Sequence, residues 1–482
     1  MQTIPNRIGA KAIAADDVFV KLDPATGERL CYVSRSGARE VGLAVAEASR
    51  AQPDWARLPA ARRGDILFSV AETLASRREE MAALVSLETG KSRKDALAEI
   101  DGAVALGRFM AGEGRRLYGK TTTSAMDNRM ALTMRRPVGV AGLIVAANTP
   151  IANVAWKVFP ALICGNAAVL KPAEDTPGVA DLFMRMALDA GLPPGALNVV
   201  QGLGAEAGKA LVAHEGVDVV SFTGSTAAGL AVQAETGRRL AKTFLELGGK
   251  NALVVCDDAN LDNAVKWALL SSFSNAGQRC ASSSRIIVMD GVHDAFRGRF
   301  LEGMAALKVG TADGDDFGPV ISQRQLDAML AAVEQARAQG GAVLAGGHRL
   351  TAAAYAAGFF MAPTLLEGVA MSADISRREL FGPITCLYRA RDFDHALELA
   401  NDSPYGLTAS VHTRSLSSAL EFRNRVEAGV VVVNAGTHGS EPHMPFGGLK
   451  NSGNGLREPG VEALDVYSEW QTVYLHHFPE EA

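Results

Sequence analysis

The chain has 482 residues, of which 48% are hydrophobic and 21% are charged. This composition excludes a disordered chain and provides apolar mass for a large core, and the length favours two or three domains. The net charge of −5, without a long run of either sign, argues against a nucleic-acid-binding protein and favours a small-molecule substrate.

Cysteine and histidine spacing gives no sign of a metal site or of a disulfide framework. The five cysteines form no C-x-x-C pair, and the nine histidines show no ligand spacing. Free thiols fit the reducing cytoplasm, and the first twenty residues lack the apolar core of a signal peptide. The cysteines are Cys31, Cys164, Cys256, Cys280 and Cys386.

The predicted elements change in character along the chain. The first hundred residues predict mostly helices, with Ile66, Val70 and Leu74 on one face. From about residue 138, β-branched runs such as "VGVAGLIVA", "AAVLKP" and "ALNVV" alternate with helical segments such as "VADLFMRMALDAG", which ends at Gly191. This alternation predicts βαβ units and a parallel sheet.

Three further segments complete the predicted organisation. The uncharged stretch 138–156 contains Gly139, Asn148, Pro150 and Asn153, which favour a buried strand and turn over a membrane span. After "LELGGK" (245–250) the alternation starts again, which predicts a second α/β domain. The segments 119–137 and 463–477 read as strands of an exposed sheet, and such edges usually need a partner.

Cys280 raises the first chemical question, because it follows Arg279 in the small, polar loop "NAGQRC". It could be a metal ligand, half of a disulfide, inert packing or a nucleophile. Small residues follow it in "ASSSRIIV", which leaves space around a sulfur atom. The other four cysteines sit within apolar runs, where inert packing is the better interpretation.

Two more polar residues end apolar strands. Glu246 lies between leucines in "LELGGK", where burial would raise its pKa toward the range of a general base. Asn148 in "VAANTP" could donate to an oxygen that becomes negative during a reaction. A helix cap for Glu246 and a turn-forming role for Asn148 remain open from the residues alone.

The glycine-rich turns favour a nucleotide ligand only weakly. "QGLGAEAG" does not complete G-x-G-x-x-G, whereas "FTGSTAAG" follows a strand and opens a helix at Ser225, where amides could face a phosphate. "LKPAED" places Lys171 and Glu174 at a strand's carboxyl end, where α/β sheets bind ligands. A carboxylate there accepts from ribose hydroxyls and repels a ribose phosphate.

Seven segments in this order resemble the NAD(P)-dependent aldehyde dehydrogenase superfamily. They are "PVGVAGLIVAANTP", "LKPAEDTP", "FTGSTAAG", "LELGGK", "NAGQRC", "ELFGP" and "MPFGGLKNSGNG", and they span about residues 135–470. Seven ordered motifs make a specific signal. The expected Trp-Asn pair is replaced here by Ala147 and Asn148, which leaves the amide in place.

The resemblance implies a three-part architecture. A doubly wound, Rossmann-like NAD-binding domain would comprise 1–118 and 138–246, and a catalytic α/β domain would comprise 247–434. A β oligomerisation arm would comprise 119–137 and 463–482, and residues 435–462 would form a substrate loop that returns to the first domain. Such an arm implies a homodimer or homotetramer.

The resemblance also assigns roles to individual residues. It makes Cys280 the nucleophile, Glu246 the general base and Asn148 an oxyanion donor, and it draws attention to Lys157 as a proton-relay group. The implied NAD contacts are Lys171, Glu174, Gly224, Ser225, Gly229, Glu379 and Phe381. The implied substrate contacts are Asn153, Trp156, Arg279, Ala281, His438 and His443.

The implied activity is NAD-dependent, non-acylating oxidation of an aldehyde to its acid through a thioester on Cys280. Glu246 favours hydrolysis over transfer to coenzyme A, and Glu174 favours NAD over NADP. Arg279 suggests a carboxylate semialdehyde, although it could instead lower the thiol pKa or bind carbonyl groups. Aromatic or uncharged aliphatic aldehydes and a coenzyme A-acylating reaction remain the alternatives.

Overall fold

The computed structural model describes residues 3–478. The first two residues of the predicted NAD-binding domain and the last four of the predicted arm therefore lie outside the described residues. In chain order, the strands are β1 (Thr3–Ile4), β2 (Asn6–Ile8), β3 (Lys11–Ile13), β4 (Val18–Leu22), β5 (Arg29–Ser34), β6 (Thr121–Thr122), β7 (Arg129–Pro137), β8 (Val140–Ile144), β9 (Ala167–Lys171), β10 (Leu197–Val199), β11 (Val219–Thr223), β12 (Lys242–Glu246), β13 (Asn251–Val255), β14 (Ser283–Met289), β15 (Ala342–Ala345), β16 (Thr364–Glu367), β17 (Ile384–Ala390), β18 (Tyr405–Gly406), β19 (Thr408–His412), β20 (Val430–Val433), β21 (Leu449–Lys450) and β22 (Ser468–His476).

Helices connect most of these strands. They are α1 (Ala38–Arg57), α2 (Ala60–Ser76), α3 (Arg78–Thr89), α4 (Arg93–Glu113), α5 (Pro150–Ile163), α6 (Pro177–Asp189), α7 (Lys209–Ala213), α8 (Thr226–Gly237), α9 (Leu261–Phe273), α10 (His293–Ala306), α11 (Gln323–Ala338), α12 (Asp374–Arg377), α13 (Phe393–Asn401), α14 (Leu416–Arg425) and α15 (Ala463–Tyr467). No helix in residues 3–478 has both the length and the apolar character needed to cross a membrane.

The first sheet has seven strands in the order β12-β11-β8-β9-β10-β2-β3. Strands β8 to β12 run parallel, and β2 and β3 add an antiparallel edge. Residues of α2 to α6 form a core on one face, and residues of α1, α7 and α8 cover the other. The sheet is therefore doubly wound, and its strand order reverses beside β8, where such sheets bind ligands.

The second sheet follows the same plan, in the order β15-β16-β17-β14-β13-β19-β20, with β15 antiparallel to its neighbour. Its central strands are buried, β-branched runs, as in Asn251–Val255, which suits a sheet covered on both faces. The first sheet ends at Glu246 and the second begins at Asn251, so the loop "LGGK" joins the two α/β units.

The N-terminal segment departs from the sequence-based expectation. Five strands precede the first helix, whereas mostly helices were predicted there. Strands β2 and β3 are only three residues long each, so period-two alternation had too few positions to appear. The helices α1 to α4 follow; of the three residues predicted to share one face, Val70 and Leu74 are buried and Ile66 is partly buried against the same core.

The two orphan strand segments meet in a separate three-stranded sheet, β22-β7-β6. Strand β22 pairs with β7 over nine residues, from Ser468 opposite Pro137 to His476 opposite Arg129. Residues 463–467, which the sequence placed in the arm, instead form α15. Four residues of α15 are buried in the first core: Ala463, Leu464, Val466 and Tyr467.

Candidate active site

The loop that carries Cys280 is held in an unusual backbone conformation. Asn275, Ala276 and Gly277 have φ values of 54°, 53° and 66°, three successive left-handed residues. A Cβ on Gly277 would lie 2.1 Å from the carbonyl oxygen of Gly382, so this position requires glycine. In this conformation Asn275 Nδ2 donates to the carbonyl oxygen of Gln278 (3.2 Å). This hydrogen bond holds the backbone of the loop just before Cys280.

The Cys280 side chain is partly exposed at the cleft, and its backbone is tied to the second sheet. Its carbonyl oxygen accepts from Asn251 Nδ2 at 2.7 Å. Burial raises the pKa of the thiol far above its usual range, and the carboxylates of Glu246 and Glu379 raise it further. The N–H of Ala281 has the opposite, smaller effect. These effects favour the neutral thiol over the thiolate, so Cys280 must lose a proton before its sulfur can attack a substrate.

Arg279 has a weaker electrostatic influence on the thiol than the sequence suggested. Its charge lowers the pKa of Cys280, but burial and the two carboxylates outweigh that effect. The guanidinium Nε donates to Ser274 Oγ at 3.3 Å. Lowering the thiol pKa is therefore not a sufficient account of why an arginine precedes the cysteine.

Glu246 ends strand β12 and is 4% exposed. Neither carboxylate oxygen has a hydrogen-bond partner among residues 3–478. Burial raises the pKa of this group to about 8, and the Lys157 ammonium partly offsets the increase. Because its charge also raises the thiol pKa of Cys280, the two groups interact electrostatically. A buried, unsatisfied carboxyl with this pKa has the properties of a general base.

Asn148 lies in the same cleft as Cys280, just before α5. Its side-chain oxygen Oδ1 accepts from Asn153 Nδ2 at 3.1 Å, so its Nδ2 group is the end of the amide left to bind another acceptor. Asn153 is 8% exposed and does not line the cleft. The structure thus places Asn153 behind Asn148, rather than in the substrate position that the sequence suggested.

Lys157 is buried and lies away from the cleft surface. Its Nζ donates to Ser221 Oγ (2.6 Å) and to Glu458 Oε2 (3.0 Å), and it lies 5.0 Å from the ring centre of Phe244. The ammonium acts on Glu246 through its charge. Its predicted part in proton relay stays a prediction.

A cleft of about 350 Å³ leads to Cys280. Trp156 and Phe446 meet edge to face in its wall, with ring centres 5.4 Å apart. Of the predicted substrate residues, the cleft is lined by Trp156, Arg279, Ala281 and His438. His443 does not line it; this side chain is 54% exposed, and its Nε2 lies 3.7 Å from Glu441 Oε2.

A second, smaller hollow adjoins the loop that carries Cys280, since Gly277 and Arg279 both line it. It is lined by Gly249, Arg279, Glu379 and Phe381, among others. Glu379 Oε1 accepts from the N–H of Gly249 at 3.0 Å, and burial raises the pKa of this carboxyl to about 7. Phe381 has a φ of 58°, a strained conformation of the kind often found at functional sites.

The other predicted cofactor residues lie at the carboxyl ends of the parallel strands. Lys171 Nζ and Glu174 Oε2 are 3.3 Å apart after β9. Ser225 caps α8, where its Oγ accepts from the N–H of Ala228. A Cβ on Gly229 would lie 2.4 Å from Leu247 Cδ2, so glycine lets α8 pack closely beside the end of β12.

Sequence reasoning missed a buried ion pair in the cleft wall. Lys91 Nζ and Glu99 Oε2 are 2.6 Å apart, and each side chain is 4% exposed. Both residues line the cleft together with Asp95. Glu99 lies in α4, and Lys91 lies in the turn before it. Both are far in sequence from the seven motifs named above, and no local sequence pattern marks them.

Comparison with known proteins agrees with this architecture. Residues 13–473 match the aldehyde dehydrogenase family. The chain belongs to the aldehyde dehydrogenase family. It is 35% identical over 467 residues to alpha-ketoglutaric semialdehyde dehydrogenase of Bacillus subtilis, a match that covers 96% of each chain. It is 36% identical over 461 residues to 2,5-dioxopentanoate dehydrogenase of Saccharolobus solfataricus, with 95% and 96% coverage.

The fold agrees equally well with solved aldehyde dehydrogenases. Betaine aldehyde dehydrogenase of Staphylococcus aureus, crystallised with NAD+, superposes with a TM-score of 0.96 at 29% identity. The match covers 99% of this chain and 96% of that one. The predicted α/β class with parallel-sheet domains is therefore confirmed.

The other cysteines of this aldehyde dehydrogenase lie outside the cleft. All five cysteines are free thiols in the structure. Cys164, Cys256 and Cys386 are buried, and burial raises the pKa of each thiol. Cys31 is partly exposed on β5.

Gly102 provides a test of the cleft wall in this aldehyde dehydrogenase. It lies within α4 and lines the cleft, and an added Cβ meets nothing within 4 Å. Since glycine costs about 1 kcal/mol relative to alanine inside a helix, we expect G102A to raise the free energy of unfolding by ~0.5–1 kcal/mol. We expect G102L to project into the cleft and lower kcat/KM for long aldehydes more than for short ones.

Gly298 in α10 provides the matched control, because its Cβ would also meet nothing and it lies outside the cleft. G298A should give the same gain in thermal unfolding measurements, and G298L should leave kcat/KM unchanged. Equal kcat/KM ratios for long and short aldehydes in G102L and the unaltered chain would contradict this placement of α4.

Proposed function

We propose that this aldehyde dehydrogenase oxidises a small aldehyde that also carries a carboxylate, with NAD as the hydride acceptor. The observation that carries the proposal is the guanidinium of Arg279. It lines the cleft directly beside Cys280 and forms no ion pair with any acidic group of residues 3–478. Its Nε donates to Ser274 Oγ, while its two terminal nitrogens make no hydrogen bond within that range.

Two other ionisable groups around the cleft, Lys91 and His438, support this interpretation of Arg279, whereas the acidic side chain of Asp95 in the same wall does not. Lys91 is paired with Glu99, so its charge is already neutralised. His438 is neutral at neutral pH, because burial and, to a smaller extent, the charge of Arg279 lower its pKa to about 4. A guanidinium presents two parallel N–H groups that match a carboxylate, so Arg279 is suited to bind the acidic end of a substrate.

The relatives favour the same substrate class. The names alpha-ketoglutaric semialdehyde dehydrogenase and 2,5-dioxopentanoate dehydrogenase both denote enzymes for an aldehyde that carries a carboxylate. The relative named for betaine aldehyde is less similar, at 29% identity. These similarities and the cleft charge together support a carboxylate semialdehyde over an uncharged aldehyde.

The residues at the strand ends fit the chemistry of NAD. The exposed N-terminus of α8 offers backbone N–H groups to a pyrophosphate, beside Gly224 and Ser225. Glu174, partly exposed next to Lys171, supplies an acceptor for ribose hydroxyls and would repel the ribose phosphate of NADP. Glu379 and Phe381 border the smaller hollow beside the Cys280 loop. When bound there, NAD would accept the hydride that leaves the substrate carbon.

The first chemical step belongs to Cys280 and Asn148. The thiol loses its proton to water in the cleft, and the sulfur attacks the aldehyde carbon from the cleft side. The developing alkoxide then accepts from Asn148 Nδ2, whose orientation is fixed because Asn153 holds the other end of the amide. Loss of hydride from this thiohemiacetal leaves a thioester on Cys280.

The second step belongs to Glu246. With a pKa of about 8 and no hydrogen-bond partner among residues 3–478, this carboxylate is able to take a proton from water. The resulting hydroxide attacks the thioester, and the acid and the free thiol are released. Hydrolysis therefore needs no acyl acceptor such as coenzyme A.

We also propose that the chain forms a homodimer or homotetramer through the β22-β7-β6 sheet. Large apolar and aromatic side chains on this sheet are exposed in the single chain, and Arg129 and Arg135 stack over two of them. Exposed apolar strands usually bind a partner. The exposed side chains are Met130, Met134, Trp470, Tyr474 and Leu475.

Arg279→Ala tests the substrate class. With NAD and a panel of matched aldehydes, we expect the unaltered chain to prefer the carboxylate semialdehyde in kcat/KM. Since a hydrogen bond to a charged group contributes about 1.5–3 kcal/mol, the variant should lose ~10- to 150-fold of that preference. The uncharged aldehydes should keep their kcat/KM within a few-fold.

Arg279→Lys is the matched control, because it keeps the charge and loses the paired N–H groups. We expect it to retain part of the preference. If uncharged aldehydes of equal length match the semialdehyde in the unaltered chain, or if R279A leaves the preference intact, the substrate proposal is wrong.

A further inference from the structure

The N-terminus of α5 is capped by a side chain from a different helix. Pro150 has no N–H, and the side chain of Thr149 makes no capping hydrogen bond. The next two N–H groups, of Ile151 and Ala152, both donate to Glu99 Oε1, at 2.9 and 3.2 Å. Helix α4 therefore supplies the acceptor that the start of α5 requires.

The other oxygen of Glu99 continues the connection to Asn148. Glu99 Oε2 accepts from Lys91 Nζ at 2.6 Å, and the same ammonium donates to Asn148 O at 2.8 Å. Asn275 Nδ2, from the Cys280 loop, donates to that carbonyl as well, at 3.1 Å. The backbone of Asn148 is thus tied to α4 on one side and to the nucleophile's loop on the other.

We propose that Lys91 and Glu99 are positioning residues that hold the amide of Asn148 in place for the developing alkoxide. This inference rests on the proposed role of Asn148. Asn153 fixes the rotation of the Asn148 amide, and the Lys91–Glu99 pair fixes the backbone from which that amide projects. Because both charges are buried, neither can be removed without disturbing the other.

The consequence concerns the transition state rather than substrate binding. An oxyanion donor that is displaced by a fraction of an ångström still permits substrate to enter the cleft. It stabilises the alkoxide less well, so the chemical step slows while KM changes little. Lys91 and Glu99 are therefore expected to affect the rate of thioester formation and not the affinity for NAD.

The test is a double-mutant cycle with Asn148→Ala, read as the single-turnover rate of NADH formation. We expect K91M to lower that rate by about 10- to 100-fold, with KM for the aldehyde and Kd for NAD within about threefold of their original values. In the N148A background, K91M should lower the rate by less than about threefold, because the group it positions is already gone. K91R should restore most of the rate.

K91M alone leaves the buried carboxylate of Glu99 without its partner. If K91M does not fold for this reason, the double variant K91M/E99Q, which has no such charge, replaces it in the test. It also removes the donor to Asn148 O, so the same loss is expected. Arg7→Met provides the control: it breaks the partly buried Arg7–Asp181 pair (2.6 Å), which lies outside the cleft, and should leave the rate unchanged.

The outcomes separate this inference from the proposed function. A loss in K91M that multiplies fully with the loss in N148A would show a structural role and overturn the inference. An unchanged rate in K91M/E99Q would overturn it as well. If instead N148A itself keeps the full rate, the proposed role of Asn148 fails first, and the positioning role fails with it.

Discussion

Replacing Cys280 by alanine is expected to reduce NAD-dependent aldehyde oxidation by about 10⁴-fold or more, because both covalent intermediates require its sulfur. The other cysteines lie outside the cleft, so none can replace it. Binding of NAD should persist, since the predicted cofactor contacts lie at strand ends and in the smaller hollow beside the loop. Turnover is followed as NADH formation, and NAD binding by calorimetry.

Cys31→Ser is the matched control, because Cys31 is partly exposed and is remote from the cleft. This variant should keep full activity. Cys280→Ser should be nearly as inactive as the alanine variant, since a serine hydroxyl is far harder to ionise than a thiol. Measurable aldehyde oxidation by C280A within tenfold of the original rate would show that Cys280 is not the nucleophile.

The sequence predicted the central part of the fold well because long, buried β-branched runs leave few alternatives. The strands Val140–Ile144 and Ala167–Lys171 lie within the runs that predict them, and the helix Pro177–Asp189 overlaps the predicted helical segment "VADLFMRMALDAG". The short edge strands β2 and β3 were missed, because three residues cannot display a periodic pattern. Strand β2 is placed by pairing with β10, which is distant in sequence, and β3 is placed by pairing with β2.

Helix geometry explains why one predicted substrate residue lies outside the cleft. Thr149, Ala152 and Trp156 line the cleft, at the spacing of one face of α5. Asn153 and Lys157 follow Ala152 and Trp156 by one residue, a rotation of about 100°, and so turn away from the cleft. A sequence motif therefore shows which residues lie near the site. The face of the helix on which each residue lies determines whether its side chain lines the cleft.

The contribution of α4 could not be found from sequence at all. Lys91 and Glu99 read as ordinary surface charges in "GKSRKDALAEI", among other charged residues. Their meaning depends on the α4–α5 packing, which brings Glu99 to the start of a helix 52 residues away. Capping by a side chain from another helix has no local signature, unlike capping by Ser92 within α4 itself.

Glu246→Gln is expected to separate the two halves of the reaction. Hydrolysis of the thioester loses its general base, so kcat should fall by about 10²- to 10⁴-fold. Because removal of the Glu246 charge also lowers the pKa of Cys280, thiolate formation becomes easier. We therefore expect a rapid burst of about one NADH per site, followed by a slow steady rate, and a thioester that mass spectrometry detects on Cys280.

The pH dependence gives a second readout of the same group. In the unaltered chain, the hydrolytic step should rise with pH up to about 8, as Glu246 loses its proton, and this limb should be absent in E246Q. The folded state holds this proton up to about pH 8, whereas an unfolded Glu loses it near pH ~4.3, so ionisation of Glu246 lowers stability between those values. The gain in Tm from E246Q should accordingly increase from pH 5 to pH 8.

Two results would contradict this account of Glu246. An unchanged kcat in E246Q would mean that another group activates the water. The absence of a burst, with NAD binding intact, would mean that Glu246 is indispensable for the first proton transfer, from the thiol, and not only for the second. Glu246→Asp serves as the control for charge: it retains the carboxylate but shortens its reach, so a pH limb should persist at a reduced rate. If the hydrolytic rate of E246D still rises with pH, the carboxylate itself is the source of the pH dependence. The rest of the buried end of β12 is the same in this variant as in the unaltered chain.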